Sequence, residues 1–286
     1  YLDISPLDRG EDIRREIILT LEEMGIKPET SHHEQGPGQN EIDFKFSNAI
    51  ESADNLLTFK SVVKSVAARR GLFASFMPKP LPDVAGSGMH INLSLTQNGR
   101  NIFKNINEGH SNIAESFIAG ILARTPEITL FLNPISNSYE RFGKFEAPKF
   151  VSWSHQNRSQ LIRIPAAIGE KVRMELRSPV PSLNPYLAFA LVIAAGLDGI
   201  EKDIALPPSV DVDLFMADES VTKDLTPLPD SLDKAIYLAE NSDFVKRTIG
   251  EELLSKYLAI KKIEAGDYAA ARDKAKFYRE RYFNAI

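Results

Sequence analysis

The chain has 286 residues, of which 43% are hydrophobic and 26% are charged, and this composition is typical of a folded globular protein. A net charge of −5 argues against nonspecific binding to nucleic acid or to an anionic membrane surface. The absence of cysteine excludes disulfides and thiolate metal sites, and no stretch approaches the roughly 20 apolar residues of a membrane span. No signal peptide is visible, so the expected compartment is the cytoplasm.

Helices and strands alternate in the first third of the chain. Apolar residues at helical spacing predict helices over residues 8–24 and 52–70, and a glycine follows each of them. Between these helices, charged residues at 41, 43 and 45 alternate with apolar residues and predict a strand. A further strand is predicted over residues 72–77.

The middle of the chain is predicted to contribute most of the sheet. His90, Asn92 and Ser94 alternate with other residues and are expected on one face of a strand. A helix follows with Ile113, Phe117 and Ile121 on one stripe. Further strands are predicted at the ranges 149–154, 160–164 and 172–177.

The last third is predicted to be helical. Asn184 is the expected N-cap of a helix whose first residue is Pro185. Helices continue from about residue 230 and end with one over residues 267–284. Strands followed by separate helices indicate an α+β fold, and no linker or repeat interrupts the single domain predicted for residues 1–286.

The most informative segment is 173–177, Arg-Met-Glu-Leu-Arg. As a strand it places two guanidiniums and one carboxylate on one face, with Met174 and Leu176 on the other. A charged face within a sheet indicates a bound partner. Because carboxylates bind metal ions and arginines bind anions, we expect an anionic substrate and a divalent cation, although Arg173 could instead pair with an acidic neighbour.

Four residues are candidate ligands of a hard metal ion: Glu34, Glu41, His90 and Glu175. Three carboxylates and one imidazole favour Mg²⁺ or Mn²⁺ over Zn²⁺. Glu34 and Glu41 flank a Gly-Pro-Gly turn and can converge on one ion. Each residue alone could equally be a surface charge or a core histidine, and His32 and His33 are interpreted as structural or supporting residues.

Two further groups indicate anion binding. Gly86-Ser87-Gly88 resembles a phosphate-binding loop but lacks the lysine and the spacing of a P-loop, so it could also be a flexible entry to a hairpin. Five arginines lie within 40 residues: Arg141, Arg158, Arg163, Arg173 and Arg177. Guanidinium groups suit carboxylate and phosphoryl oxygens, although any single one could be a solvated surface residue.

A colinear series of segments resembles the bacterial type I glutamine synthetases. These segments are SHHEQGPGQNEIDF (31–44), FMPKP (76–80), GSGMH (86–90), NSYER (137–141), EAP (146–148), NRSQLIRIP (157–165), NPYLAFA (184–190) and AAGLDGI (194–200). The resemblance implies a glutamine synthetase/guanido kinase-like catalytic domain, with a curved, largely antiparallel sheet and flanking helices.

The resemblance also implies roles for individual residues. Glu34 and Glu41 match ligands of one divalent cation, and His90 and Glu175 match ligands of a second, with two or three Mg²⁺ or Mn²⁺ ions per site. The positions matching glutamate-binding residues are Gly86, Arg141, Glu146, Arg158 and Arg177. The positions matching ATP-binding residues are Glu29, Asp43, Phe44, Lys45, Asn92, Ser94, Arg158 and Arg163. Glu146 and Arg158 match catalytic residues, a loop carboxylate and a guanidinium near the transferred phosphoryl group.

The implied reaction is ATP-dependent ligation of glutamate and ammonia through γ-glutamyl phosphate. Phosphoryl transfer mainly requires positioning and charge neutralisation, which cations and arginines supply. The resemblance further implies a homo-oligomer, a dodecamer for a full-length member, with no nucleic-acid or membrane partner. Relative to such members, we expect the chain to lack an N-terminal β-grasp domain and a Glu-x-Glu strand, and to be inactive by itself.

Several departures from the family pattern leave alternatives open. Ala85 replaces a usual Asn, Val180 replaces a usual Asp, and the loop from Arg141 to Glu146 is one residue short. Phe215 stands where adenylylated members carry Tyr, so no adenylylation is expected. A ligase that joins glutamate to a larger amine or polyamine, and a noncatalytic scaffold, are the alternatives to glutamine synthesis.

Overall fold

The computed structural model describes residues 1–104 and 110–286 and shows an α+β protein. Internal contacts divide the chain into unit 1, Tyr1–Ser87 with Ala275–Ile286, and unit 2, Gly88–Lys274. The division falls between Ser87 and Gly88, within the Gly-Ser-Gly segment. The assignment of residues 1–286 to one catalytic domain therefore remains a prediction.

Unit 1 is a helix pair with a β-hairpin. Its elements are α1 (Glu11–Glu23), β1 (Pro28–His33), β2 (Asn40–Phe44) and α2 (Ala49–Arg69). The side chain of Asn48 caps α2 by accepting a hydrogen bond from the backbone N–H of Glu51. The core of the unit contains Ile17, Leu21, Ile26, Val62 and Val66, with Ile42 and Phe44 of the hairpin packed against it. Both predicted helices and the predicted strand are confirmed.

The strand predicted over residues 72–77 is wrong. This segment is irregular in the structure and lies beside the last residues of unit 1. Phe73 stacks on Phe283 with 5.1 Å between ring centroids, and the backbone N–H of Phe76 donates to the carbonyl of Ile286 at 3.1 Å. Apolar character at this segment therefore reflects packing rather than pairing in a sheet.

Unit 2 contains a four-stranded sheet and a short hairpin. Its strands are β3 (Ile91–Leu93), β4 (Thr96–Gln97), β5 (Arg100–Asn101), β6 (Trp153–His155), β7 (Ile162–Ile164) and β8 (Met174–Leu176). The sheet order is β3-β8-β7-β6, and only the β6–β7 pair is parallel. The three strands predicted between residues 149 and 177 are confirmed in shortened form, while His90 and Ser94 lie just outside β3.

The register of this sheet aligns the charged residues. Asn92 lies opposite Glu175, and Glu175 lies opposite Arg163 on the other neighbouring strand. Residues directly opposite one another share a face, so these three form one row. Met174 and Leu176 point to the other face and are completely buried, as the alternating pattern predicted.

The helices of unit 2 are α3 (Asn112–Leu132), α4 (Pro185–Glu201), α5 (Glu219–Thr222), α6 (Leu232–Glu240), α7 (Asp243–Ile249) and α8 (Glu251–Ala270). The N-cap prediction is confirmed, because the Asn184 side chain accepts hydrogen bonds from the N–H groups of Tyr186 and Leu187. Helices α3 and α4 pack so closely that a Cβ atom on Gly120 would lie 2.2 Å from the carbonyl oxygen of Ala195. No helix formed by the described residues combines the length and apolarity needed to cross a bilayer.

The single terminal helix predicted over residues 267–284 is wrong. Helix α8 ends at Ala270, and Ala271 is extended with ψ of 122°. The chain resumes as α9 (Lys274–Tyr278) and a π-helical turn at Arg279–Phe283. The break has a packing cause, because the residues after it join unit 1, where Phe283 stacks on Phe73.

Candidate active site

The β1–β2 hairpin brings together His32, Glu34 and Glu41, which are called the acidic group below. His32 lies opposite Glu41 in the register, and the backbone N–H of Glu34 donates to Gln39 across the turn. One ligand atom from each of the three side chains lies within 4.8 Å of the others. Two carboxylates and one imidazole at this spacing fit a divalent cation that prefers oxygen and nitrogen ligands.

Negative charge in the acidic group is poorly compensated. Burial raises the pKa of Glu41 to about 8, and the neighbouring carboxylates of Asp43 and Glu34 add to the rise. Burial also favours a higher pKa for Glu34, but hydrogen bonds from the Gln35 N–H and the His32 ring outweigh it and lower that pKa. The His32 ring lies 3.0 Å from Glu34. The ionised form of Glu41 is therefore disfavoured in the hairpin, and a bound cation would stabilise it.

Contacts within unit 1 fix the position of the hairpin. Arg14 on α1 donates to the Asp8 carboxylate at 2.5 Å and to the Asn40 side-chain oxygen at 2.6 Å. The side chain of Asp8 is completely buried, and Asn40 directly precedes Glu41. At the turn, Gln39 donates to the carbonyl of Gly86 at 2.9 Å. The Gly-Ser-Gly segment thus supports the hairpin through its backbone.

In unit 2, three basic side chains surround the carboxylate of Glu175. His90, Arg163, Arg177 and this carboxylate together are called the basic group. Arg177 Nη1 donates to Glu175 Oε1 at 3.1 Å, and His90 Nδ1 lies 3.2 Å from the same oxygen. Arg163 Nε lies 2.6 Å from Oε2 as an ion pair, although the two groups are not aligned for a hydrogen bond. The predicted convergence of His90 and Glu175 is therefore present within this unit.

Electrostatics in the basic group are opposite to those in the hairpin. Burial alone would raise the pKa of Glu175, but His90, Arg177 and Arg163 outweigh burial and lower the pKa to about 2. Burial lowers the pKa of His90, and repulsion from Arg177 and Arg141 opposes protonation further, against the attraction of Glu175. The carboxylate is thus ionised and the imidazole is neutral at neutral pH, which are the states that metal ligands require.

Arg177 also holds the segments on either side of β6. Its Nε donates to the carbonyl of Arg158 at 3.1 Å, and its Nη2 donates to the carbonyl of Glu146 at 3.4 Å. The side chains of Arg158 and Glu146 are 3.4 Å apart and about half exposed. Glu146 adopts a left-handed backbone conformation with φ of +64°. Two predicted catalytic residues are therefore adjacent and accessible to solvent.

Arg141 occupies a buried position beside Gly88. It donates to the carbonyl of Ser178 at 3.2 Å, and burial together with Arg177 lowers its pKa to about 10, so it remains charged at neutral pH. A Cβ atom on residue 88 would lie 2.7 Å from Arg141 Nη2 and 3.2 Å from His90 Nε2. Glycine at this position therefore allows the guanidinium and the imidazole to approach the backbone.

The predicted nucleotide-binding positions divide between the two units. Glu29, Asp43, Phe44 and Lys45 lie on or beside the hairpin of unit 1, whereas Asn92, Ser94, Arg158 and Arg163 belong to unit 2. Phe44 packs into the core of unit 1 with its ring centroid 5.0 Å from that of Phe59. Asn92 accepts a hydrogen bond from Arg173 at 3.0 Å. The partner of the Arg173 Nε is thus an amide and not an acidic residue. The assignment of these positions to nucleotide binding stays a prediction.

Three residues were underrated or missed from the sequence. His32 was interpreted as a structural or supporting residue, but its ring joins the acidic group. The signal was present, because a residue that pairs with Glu41 across a short hairpin shares its face. Arg14 and Asp8 were missed, since an ion pair between a helix and a preceding loop leaves no sequence pattern.

The donor sets of these two groups suit divalent cations and anionic partners, which is the chemistry that the comparisons with known proteins bear on. The family model described as "Glutamine synthetase, catalytic domain" matches residues 1–280. Curated relatives include glutamine synthetases from Clostridium saccharobutylicum, 45% identical over 273 residues, and Methanosarcina mazei, 47% identical over 275 residues. Each match covers 94% of this chain and 62% of the relative.

Solved structures support the same relationship. Two of them, "GmaS/ADP complex-Conformation 1" and "Apo GmaS without ligand", match with TM-scores of 0.87 and 0.86 at 32% and 33% identity. The matches cover 98% of this chain and 65% and 64% of those chains. The chain therefore belongs to the glutamine synthetase family, in its catalytic domain, and it spans about 62% of the length of the curated relatives named above.

Proposed function

We propose that this chain supplies the catalytic domain of a ligase that forms glutamine from glutamate, ammonia and ATP through γ-glutamyl phosphate. The observation that carries the proposal is the cluster of guanidiniums around Glu175 and Glu146, because such a cluster suits carboxylate and phosphoryl oxygens. Membership of the glutamine synthetase family and the names of the relatives support the same reaction.

The donor sets fit Mg²⁺ or Mn²⁺. His32, Glu34 and Glu41 would hold one ion, and His90 with Glu175 would contribute to another; two or three per site is our expectation. When bound, such ions supply charge neutralisation and orientation of phosphate oxygens. The raised pKa of Glu41, about 8, shows that its ionised form lacks a counter-charge in the hairpin, and this is the observation that supports a cation there.

Individual side chains then have distinct roles. Arg177 and Arg141, both buried and held by backbone carbonyls, would grip the glutamate carboxylates. Arg158 is half exposed and would contact the phosphoryl group during its transfer. Glu146 would accept a proton from ammonium. The Gly86 backbone would contact glutamate. Arg163 would neutralise phosphate charge. The nucleotide-binding positions named above would contact ATP.

Wider properties follow from the same proposal. We infer ATP as cosubstrate, supported by a structural neighbour whose title names an ADP complex. We also propose a homo-oligomer, a dodecamer for the full-length protein, acting in the cytoplasm. Ligation of a larger amine is the second candidate, favoured by one observation, namely that Ala85 replaces the polar residue expected beside the Gly-Ser-Gly segment.

A coupled assay of phosphate release by the natural full-length protein tests the proposal. With glutamate and ATP we expect turnover that depends on ammonium, and Arg177→Lys should reduce it strongly because a lysine cannot reproduce the forked contacts. Turnover with a polyamine or alkylamine and none with ammonium would support the second candidate. No turnover with any amine would contradict both and support a scaffold.

A further inference from the structure

Three aromatic rings form a stack in unit 2 that the proposed reaction does not use. The stack consists of His110, just before α3, with Trp153 and His155 of β6. The two imidazole centroids are 5.7 Å apart with their planes tilted by 34°. The indole lies edge-on to both, at 5.1 Å from His155 and 5.9 Å from His110.

Trp153 is the fixed member of the stack. Its side chain is buried, and its Nε1 donates to the carbonyl of Pro207 at 2.7 Å. His155 is by contrast half exposed, while His110 is mostly covered. The three ring centroids form a triangle, so the buried indole contacts both titratable rings, and these lie at a separation where the charge on one affects the other.

Each imidazole also faces one carboxylate. Glu115 of α3 lies 3.4 Å from His110 Nε2, and Asp211 lies 3.9 Å from His155 Nδ1. The same Asp211 oxygen accepts a hydrogen bond from the His155 backbone at 2.9 Å. Lys104 pairs with His110 only through its backbone, because its ammonium group binds Glu170. Among the described residues, these are the charged groups that the contacts place around the stack.

The stack adjoins the turn that carries Arg158. The backbone N–H of Asn157 donates to the carbonyl of His155 at 2.8 Å, and Gln156 adopts φ of +64°. The carbonyl of Arg158 in turn accepts a hydrogen bond from Arg177. A displacement of His155 would therefore be transmitted through Gln156 and Asn157 to Arg158.

We propose that the His110–Trp153–His155 stack is a pH-sensitive switch for the turn at residues 155–158. Neutral imidazoles can remain in contact with each other and with the indole. Protonation of His110 places a positive charge beside the His155 ring, and Glu115, 3.4 Å from His110 Nε2, attracts that charge. Acid thus separates the rings and moves the turn, whereas neutral pH restores the stack.

The direction of the His110 titration agrees with this geometry. Burial lowers the pKa of His110, and His155 lowers it further, while Glu115 acts in the opposite direction. The folded protein therefore resists protonation of His110 until the pH falls below the ordinary histidine value of about 6.5. The stacked state is accordingly fully favoured above that value and is lost progressively below it.

Trp153 is the only tryptophan of the chain, so its fluorescence reports directly on the stack. We expect a sigmoidal change in emission between pH 8 and pH 5, with a midpoint below about 6.5. His155→Gln should move the titration of His110 to higher pH, because it removes the ring that lowers the pKa of His110. Glu115→Gln should move the transition to lower pH, because it removes the attracting carboxylate.

A second measurement distinguishes the switch from simple quenching. Hydrogen exchange at Asn157 and Arg158, corrected for the intrinsic pH effect, should accelerate at pH 5.5 in the wild type and not in His155→Gln. Glu252→Gln, on an exposed face of α8, is the matched control and should behave as the wild type. Circular dichroism must show that each variant is folded. Flat emission across the range, an unmoved midpoint in His155→Gln, or unchanged exchange would overturn the proposal.

Discussion

The acidic group of the hairpin and the basic group of the sheet use similar residues in opposite electrostatic settings. Glu41 faces other carboxylates, and its pKa is raised to about 8, whereas Glu175 faces Arg163, Arg177 and His90, and its pKa is lowered to about 2. The same side-chain chemistry is therefore left uncompensated in one place and compensated in the other. The comparison shows that the environment, more than the residue type, decides whether a carboxyl group is ionised at neutral pH.

The two groups are also supported differently. Glu175 lies in the middle of a sheet row between two strands, with its side chain only 7% exposed. The acidic group is carried by a two-stranded hairpin, whose position depends on Arg14 and Asp8 at a neighbouring helix. The carboxylate of Glu175 is therefore fixed by strands on both sides, whereas the position of the acidic group depends on contacts with a helix and a loop.

The largest expected effect is loss of the Glu175 carboxylate. Glu175→Gln leaves the buried Arg177 and the nearby Arg163 without their counter-charge, which should lower the free energy of unfolding by about 3–5 kcal/mol. Urea denaturation measures the change. Glu252→Gln removes an exposed partner of Lys256 and should leave stability almost unchanged. Equal stability of the two variants would show that the guanidiniums do not depend on Glu175.

The next effect concerns the ion pair that positions the hairpin. Arg14 lowers the pKa of Asp8 through a hydrogen bond, against the opposing effect of burial. The folded state thus favours ionised Asp8, so this stabilisation is present above about pH 4 and is lost as the pH falls further. Asp8→Asn should cost about 1–3 kcal/mol at pH 7, and the difference from wild type should shrink near pH 3. A difference independent of pH would contradict this account.

A smaller effect of opposite sign is expected at the hairpin. The raised pKa of Glu41 means that its ionisation at neutral pH favours the unfolded state, so in the presence of a chelator Glu41→Gln should raise the free energy of unfolding by about 0.5–2 kcal/mol. The comparison with Glu175→Gln is the informative one, because the same chemical change should stabilise one group and destabilise the other. Destabilisation of both variants to the same extent would remove the distinction between the groups.

Much of this arrangement could be predicted from the sequence where local pattern determines structure. The alternation in residues 173–177 correctly placed Met174 and Leu176 inside and Glu175 with Arg177 on the opposite face. The N-cap at Asn184 could likewise be predicted, because this residue directly precedes a proline. These features depend on neighbours along the chain, which a single sequence displays directly.

Features that depend on distant packing could not be predicted in the same way. The segment 72–77 has the apolar pattern of a strand, but its aromatic side chain at Phe73 packs against Phe283. The break after α8 returns the chain to unit 1 and carries no proline or glycine signal. Similarly, the contact of Arg14 with Asn40 joins residues 26 positions apart and has no local signature.

The most direct test of the central claim is a calorimetric titration of the natural full-length protein with Mn²⁺, in the wild type and in Glu41→Gln. We predict that the wild type binds Mn²⁺ and that the substitution removes binding at the hairpin, while Glu252→Gln retains it. Binding that is undiminished in Glu41→Gln, or no binding by the wild type up to millimolar Mn²⁺, would contradict the account.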